Sequence, residues 1–166
     1  MNLATADQKG RPSSRIVLLR DASEQGFTFF TNYNSHKGKN LSENPYAALN
    51  FFWPSLEKQI RIEGKVTKVD ESISDAYFAS RPHDSQIGAW ASDQSSEIAS
   101  RLVLEEKFLA LKEQMGASVS RPKHWGGYLL KPDYFEFWQG RENRLHDRIA
   151  YVKNDLQLWN NKILSP

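Results

Sequence analysis

Apolar and polar residues alternate at period two along several stretches of the chain. The clearest is QIRIEGKVTK, where Ile60, Ile62, Gly64 and Val66 share one face and Gln59, Arg61, Glu63, Lys65 and Thr67 the other. Such alternation predicts a strand with one buried side. Similar patterns predict strands at Arg15–Arg20 (RIVLLR), Phe27–Thr31, Ala47–Trp53, Gly127–Leu130, Tyr134–Trp138, Arg148–Lys153 and Leu156–Trp159. Turn signals at Asp21–Gly26, Asn44-Pro45, Lys131-Pro132 and Asn154-Asp155 separate them. Helical periodicity interrupts the β-rich background. Leu104, Phe108, Leu111 and Met115 recur as one helix face would, with Gly116 as the stop. A shorter helix is predicted in ESISDAYFAS, with Ile73, Ala76, Tyr77 and Ser80 on one side and Arg81-Pro82 ending it. Many strands with a few inserted helices predict a mainly β fold with peripheral helices (α+β), a closed or nearly closed antiparallel barrel.

Composition narrows the class. The 166 residues suit one domain, 1–166, and 39% hydrophobic with 12% aromatic residues allows a packed core. No apolar run is long enough to span a bilayer and the start, MNLATADQKGRP, lacks a signal-peptide pattern, so a cytoplasmic protein is expected. Zero cysteines exclude disulfides and thiolate chemistry. A net charge of only +2, spread along the chain, favours small anions over nucleic acid as partners.

There is no phosphate-binding glycine loop, no paired-histidine metal spacing and no Gly-x-Ser-x-Gly elbow, and no metal is expected. What remains is a set of cationic and amide side chains beside aromatics. Arg15 and Arg20 bracket one predicted strand, and Ser35–Lys39 reads SHKGK. Gln59 stands next to Arg61, while SRPHDSQIGAW and SDQSS follow the short helix. Arginine forks, lysine and serine donors and a two-way glutamine suit a ligand carrying phosphate and a flat polar ring. In GRENRLHDR, if extended, Arg144, His146 and Arg148 project together as an anion receptor, with Leu145 and Asp147 opposite. Plainer readings stand beside these. Arg15 and Arg20 also suit solvated strand ends, SHKGK a solvated helix start, and Gln59 an exposed strand position. YFEFW and Trp125 suit core packing.

RPSSRIVLLR, GFTFFTNYNSHKGKNLSENPYAAL, QIRIEGKV, YFASRPHDSQIGAWASDQSS, WGGY and EFWQGRENRLHDR together resemble, in order and spacing, the pyridoxine (pyridoxamine) 5′-phosphate oxidases. The resemblance covers essentially the whole chain. It implies the split β-barrel that binds flavin mononucleotide (FMN), with Greek-key-like antiparallel strands. It also implies a homodimer with FMN at the subunit interface and a C-terminal dimerisation and substrate segment at about 125–166. The implied reaction oxidises pyridoxine or pyridoxamine 5′-phosphate to pyridoxal 5′-phosphate, with dioxygen as acceptor and hydrogen peroxide as by-product. By the same matching, Arg15, Ile16, Val17, Leu18, Leu19, Arg20, Phe30, Thr31, His36, Lys37, Gln59, Gln94, Ser95, Trp138 and Arg148 would contact FMN. Arg20, Tyr77, Arg81, Ser85, Arg144, Leu145 and His146 would hold the substrate, with Arg144 and His146 as the catalytic pair.

The chain departs from the family pattern in places. Arg20 and His36 stand where Lys and Arg are usual, KILSP replaces the usual Arg-Leu-Ala-Pro ending, and a lid segment ordinarily precedes the part matching MNLATAD. Loss of that lid would loosen the substrate while sparing FMN binding. The alternatives are a non-catalytic split-barrel module holding FMN or pyridoxal phosphate, a flavin reductase with another substrate, and, last, an RNA-binding barrel.

Overall fold

The computed structural model describes residues 1–166. Nine strands form one antiparallel sheet: β1 (Asn2–Ala6), β2 (Pro12–Ile16), β3 (Asp21–Ser23), β4 (Gly26–Asn32), β5 (Tyr46–Trp53), β6 (Lys58–Lys68), β7 (Trp125–Gln139), β8 (Asp147–Lys153) and β9 (Trp159–Ile163). Four helices accompany it: α1 (His36–Glu43), α2 (Glu71–Ala79), α3 (His83–Ala91) and α4 (Arg101–Gln114). The sheet order is β2-β1-β5-β6-β7-β4-β3, and β8 and β9 branch from β7. This is the mainly β, split-barrel class expected, and no helix is long and apolar enough to cross a membrane.

The branch has a local cause. Residues 125–139 form one strand rather than the two expected from the Lys131-Pro132 turn signal. β6 runs beside β7 from Tyr128 to Gln139, but the register shifts between Glu63 and Gly64. Pro132 lies opposite Gly64, a place where its missing N–H does no harm to the ladder. A side chain at Gly64 would sit 2.1 Å from the Lys131 carbonyl oxygen, so only glycine permits this approach. Before the bulge β7 pairs with β4, after it with β8. The proline bends and re-partners the strand without ending it.

RIVLLR is likewise not one strand. β2 stops at Ile16; the Val17 N–H then bonds Met1 O at one sheet edge and the Arg20 N–H bonds Thr28 O at the other. Residues 17–20 therefore cross between the edges and partly close the barrel. Leu156–Leu158 turn instead of extending, and the last strand comes later, because Asn154 Oδ1 accepts from the Leu156 and Leu158 N–H groups. β1 and α3 were not expected as elements.

Leu3, Phe29, Leu49, Ile62, Val66, Tyr128 and Leu130 fill the barrel, with Leu41 and Ala47 completing that core. A second core under the helices joins Phe78, Ile87, Ala89, Val119 and Trp125. The α4 face of Leu104, Phe108, Leu111 and Met115 falls where its periodicity places it, though only half-buried. In α2 the buried residues are Ser74 and Phe78, with Tyr77 half-buried and Ile73 exposed. The predicted α2 face is therefore rotated: Ser74 is drawn inward to β7, where its Oγ accepts the Gly127 N–H.

Beyond the bulge, Glu136 is buried and ties three strands together. It accepts from Arg61 Nη1 at 3.1 Å (β6), Tyr134 OH at 2.9 Å (β7) and Arg148 Nε at 2.9 Å (β8). Burial pushes its carboxyl pKa up, but the Arg148 and Tyr134 hydrogen bonds and both guanidinium charges outweigh that and hold it below the ordinary value. Its folded pKa being the lower, the stabilisation is complete above the unfolded value and is lost as pH falls through the folded one. Glu136→Ala is expected to lower unfolding stability by about 2 kcal/mol at neutral pH. Urea titrations of both proteins should converge as pH falls through the lowered Glu136 pKa, where the wild type loses the same interaction.

Candidate functional site

A cavity of about 770 Å³ opens between the 15–20 crossing, β4, the start of α1, α2, α3 and the loop after α3. Of the residues singled out from sequence, it brings together Arg15, Ile16, Val17, Leu18, Arg20, Phe30, Thr31, His36, Lys37, Tyr77, Arg81, Ser85, Gln94 and Ser95. Leu19 does not line it. Asn32, Gly88, Ala89, Ser92 and Trp125 do, and were not anticipated; Trp125 belongs at once to the core and to the cavity wall. No periodicity separates those two roles.

One end of the cavity is built around Lys37. Ser35 caps α1, its Oγ accepting the Gly38 N–H, so Lys37 enters from the first helical turn. The amine is buried, and donates to Thr31 Oγ1 at 3.0 Å, Ser35 Oγ at 3.2 Å and Gln94 Oε1 at 2.8 Å. None of these is a carboxylate. Burial, then the nearby Arg15 charge, lowers the Lys37 pKa to about 8. Arg15 also has only neutral partners: Leu3 O, Thr5 Oγ1, Ser13 O and Ser13 Oγ. Ser95 sits beside them in the left-handed region at φ 72°.

The other end is aromatic and cationic. Tyr77, Phe30 and Trp125 stack, with ring centroids 4.0 Å apart for Phe30–Tyr77 and 5.6 Å for Phe30–Trp125. The Arg20 guanidinium lies 5.4 Å from the Tyr77 ring and that of Arg81 lies 4.5 Å from Trp125. Arg81 Nη1 is buried without a hydrogen-bond partner. Burial lowers the Arg81 pKa, opposed by Tyr77 and reinforced by the Arg20 charge. Arg15, Arg20, Lys37 and Arg81 thus line one cavity, and none forms an ion pair. Two groups of uncompensated cations around flat apolar walls constitute a receptor for anionic groups on a planar ligand.

The remaining candidates lie elsewhere, on β6–β8. Gln59, Trp138 and Arg148 are register partners across the three strands, and the His146 ring centroid is 4.8 Å from that of Trp138. The extended Arg144/His146/Arg148 face does not form. Residues 142–144 make a single helical turn with Asn143 and Arg144 at φ 56° and 63°, and the strand begins only at Asp147. Arg148 points to Glu136 and Ser165 O, whereas Arg144 has no side-chain partner. None of Gln59, Trp138, Arg144, Leu145, His146 and Arg148 lines the cavity of its own chain.

Residues 1–115 match the family described as pyridoxamine 5′-phosphate oxidase, and residues 125–166 the pyridoxine 5′-phosphate oxidase C-terminal dimerisation region. The chain belongs to the pyridoxamine 5′-phosphate oxidase family. It is accordingly an oxidoreductase. The pyridoxine/pyridoxamine 5′-phosphate oxidase of Actinobacillus succinogenes is 56% identical over all of this chain and 79% of its own length. That of Cytophaga hutchinsonii is 58% identical over 96% of this chain and 75% of its own length. PhzG from Burkholderia lata, solved with tetrahydrophenazine-1-carboxylic acid, superposes with a TM-score of 0.93 at 32% identity, covering 99% of this chain and 80% of PhzG. Within the dimerisation region this oxidase-family chain leaves Phe137, Ile149, Tyr151, Trp159 and Ile163 open to solvent. Phe135, Phe137, Ile149, Tyr151 and Trp159 line an apolar hollow of about 530 Å³, as expected of a face that a second copy covers.

The lowered Lys37 pKa gives a pH signature. Below about pH 8 the amine is charged and offers a cation to a phosphate monoester, which is a dianion above about pH 6; a bound anion would in turn raise the amine pKa. Affinity for a phosphate monoester, measured calorimetrically, should therefore fall as pH rises through 8, by up to about ten-fold per unit. Lys37→Met should weaken binding at pH 7 and abolish that pH dependence.

Proposed function

We propose that this protein is an FMN-dependent oxidase that converts pyridoxine 5′-phosphate and pyridoxamine 5′-phosphate to pyridoxal 5′-phosphate. The observation that carries this reading is the pair of unpaired cationic groups, Arg15 with Lys37 and Arg20 with Arg81, at a single cavity with aromatic walls. A flavin mononucleotide and a phosphorylated pyridine each bring one phosphate and one flat ring. The donor set fits both: a buried amine with only neutral partners at one end, an orphaned guanidinium nitrogen at the other.

Arg15, Lys37, Gln94 and Ser95 would hold the FMN phosphate and ribityl chain, with His36 at the rim. The 16–20 backbone and Phe30-Thr31 would line its ring. Arg20, Tyr77, Arg81 and Ser85 would hold the substrate phosphate. Bound FMN would supply the acceptor for a hydride, with its two electrons, from C4′ of the substrate and the route for those electrons to dioxygen, giving hydrogen peroxide; with the amine substrate, water would then replace the nitrogen and release ammonia. Everything else falls to the chain: anchoring the substrate phosphate fixes where its C4′ lies, and the ring stack excludes water from one side. In a two-fold dimer each chain would give its cavity to one site and its Gln59, Trp138, Arg144, His146 and Arg148 to the other. Their absence from the cavity of their own chain, the place of Trp138, Arg144, His146 and Arg148 in the dimerisation region, and the pairing of Gln59 with Trp138 support that sharing. Arg144 would stabilise charge developing on the substrate, and the His146 Nε2–H would donate to its C4′ oxygen or nitrogen.

The likeness to PhzG favours one second reading, oxidation of a reduced ring bearing a carboxylate. The higher identity to pyridoxine/pyridoxamine 5′-phosphate oxidases, 56% and 58% against 32% to PhzG, favours the phosphorylated substrate.

Under anaerobic conditions, pyridoxine 5′-phosphate should bleach the oxidised-flavin band of the FMN-loaded protein, and air should restore it. Arg144→Ala should slow the bleaching about a hundred-fold with FMN still bound. Arg81→Ala should instead raise the half-saturating substrate concentration by roughly ten- to a hundred-fold. Bleaching only on addition of a nicotinamide cofactor would make the protein a reductase, and no bleaching at all a binding module.

A further inference from the structure

Arg144 and His146 stand on a loop whose shape nothing in the cavity determines. Arg144 is exposed and makes no hydrogen bond or ion pair within the chain, and Leu145 is 69% exposed. Their directions are therefore set by the backbone, which holds Asn143 and Arg144 consecutively in the left-handed region at φ 56° and 63°. Neither is glycine, so this conformation needs support from outside the two residues.

That support comes from one residue at the mouth of the loop. The Arg141 N–H donates to His146 Nδ1 at 3.1 Å, and Arg141 Nε donates to Asp147 Oδ2 at 2.7 Å. Residues 142–145 are thus an excursion tied at its base by two bonds from Arg141, one to the histidine and one to the residue after it. The base itself is anchored: the Gly140 N–H bonds Glu57 O at 2.8 Å, and Gln139 Nε2 donates to Leu56 O. Filling the Nδ1 lone pair with a backbone N–H leaves the neutral imidazole proton on Nε2, the nitrogen facing away from the loop. The nearby Trp138 ring restricts imidazole rotation.

We infer that the Arg141–Asp147 ion pair is a positioning latch that fixes the direction of Arg144 and the tautomer of His146 for the oxidation proposed above, on which reading this role rests. Neither Arg141 nor Asp147 lines the cavity of its chain. Both are exposed, so the pair has little weight in overall stability, and its removal is read in the site rather than in unfolding.

The test uses the FMN-loaded full chain with Asp147→Asn, Arg141→Gln, Arg141→Lys and the exchanged pair Arg141→Asp with Asp147→Arg. Single-turnover flavin reduction by pyridoxine 5′-phosphate should slow at least ten-fold in Asp147→Asn and Arg141→Gln. FMN affinity should stay within two-fold and the unfolding midpoint unchanged. Arg141→Lys, or the exchanged pair, should recover part of the rate. The second readout is independent of turnover: ¹⁵N signals of the His146 ring should report the Nε2–H tautomer in the wild type and an average of both tautomers in Asp147→Asn. Unchanged reduction in both single variants would overturn the latch, as would identical His146 spectra with and without Asp147. If the wild type itself is not reduced by the substrate, the oxidase reading fails and the His146 spectra alone decide whether the latch exists.

Discussion

Positive charge inside the chain without negative charge to meet it is the constraint that organises this molecule. Moving the Lys37 pKa from 10.5 to about 8 corresponds to about 3 kcal/mol of lost preference for the charged form. A fold that needed only stability would place a carboxylate at this position, as it does at Glu136, where two guanidinium groups and a phenol converge on one buried acid. Here Thr31, Ser35 and Gln94 supply lone pairs but no charge. The same contrast recurs at Arg81, whose Nη1 is left without any partner. Both deficits are relieved by an anionic group entering the cavity, so part of the free energy withheld from folding becomes available for binding.

The sheet explains why the cavity and the Trp138 row lie apart. At the Gly64 and Pro132 bulge β7 exchanges β4 for β8, so the strand carries the barrel wall on one stretch and the Trp138 row on another. Phe30, Thr31 and Trp125 belong to the first region; Gln59, Trp138 and Arg148 belong to the second. One strand thereby carries two groups of candidate residues that do not meet within a chain, and the exposed aromatic hollow on β7–β9 lies on the stretch with the second.

Most of the barrel was legible because period-two alternation reports a sheet with one dry face, and β4, β5, β6 and β8 show it. It failed where backbone partners change along a run of suitable side chains. RIVLLR has strand composition throughout, yet its N–H groups are divided between two sheet edges; Lys131-Pro132 reads as a turn, yet a facing glycine absorbs the proline. The cationic cavity residues were legible through residue type and family resemblance, since Arg15, Lys37, Arg20 and Arg81 are chemically conspicuous. Trp125 and Asn32 were not, because a large aromatic and a strand-end amide have the same composition in a core or a wall. The Arg144/His146/Arg148 segment was misjudged geometrically, since neither Asn143 nor Arg144 signals a left-handed backbone strongly enough to displace an extended reading.

The sharing of each site between two chains can be tested with a mixed dimer that pairs a Lys37→Met chain with an Arg144→Ala chain, separated from both parents by distinct tags. If the cavity of one chain works with the loop of the other, the mixed dimer holds one intact site and should show about half of the wild-type activity although both parents are nearly inactive. If each chain serves its own site, no intact site exists in the mixed dimer, and activity no higher than that of the parents would contradict the shared arrangement.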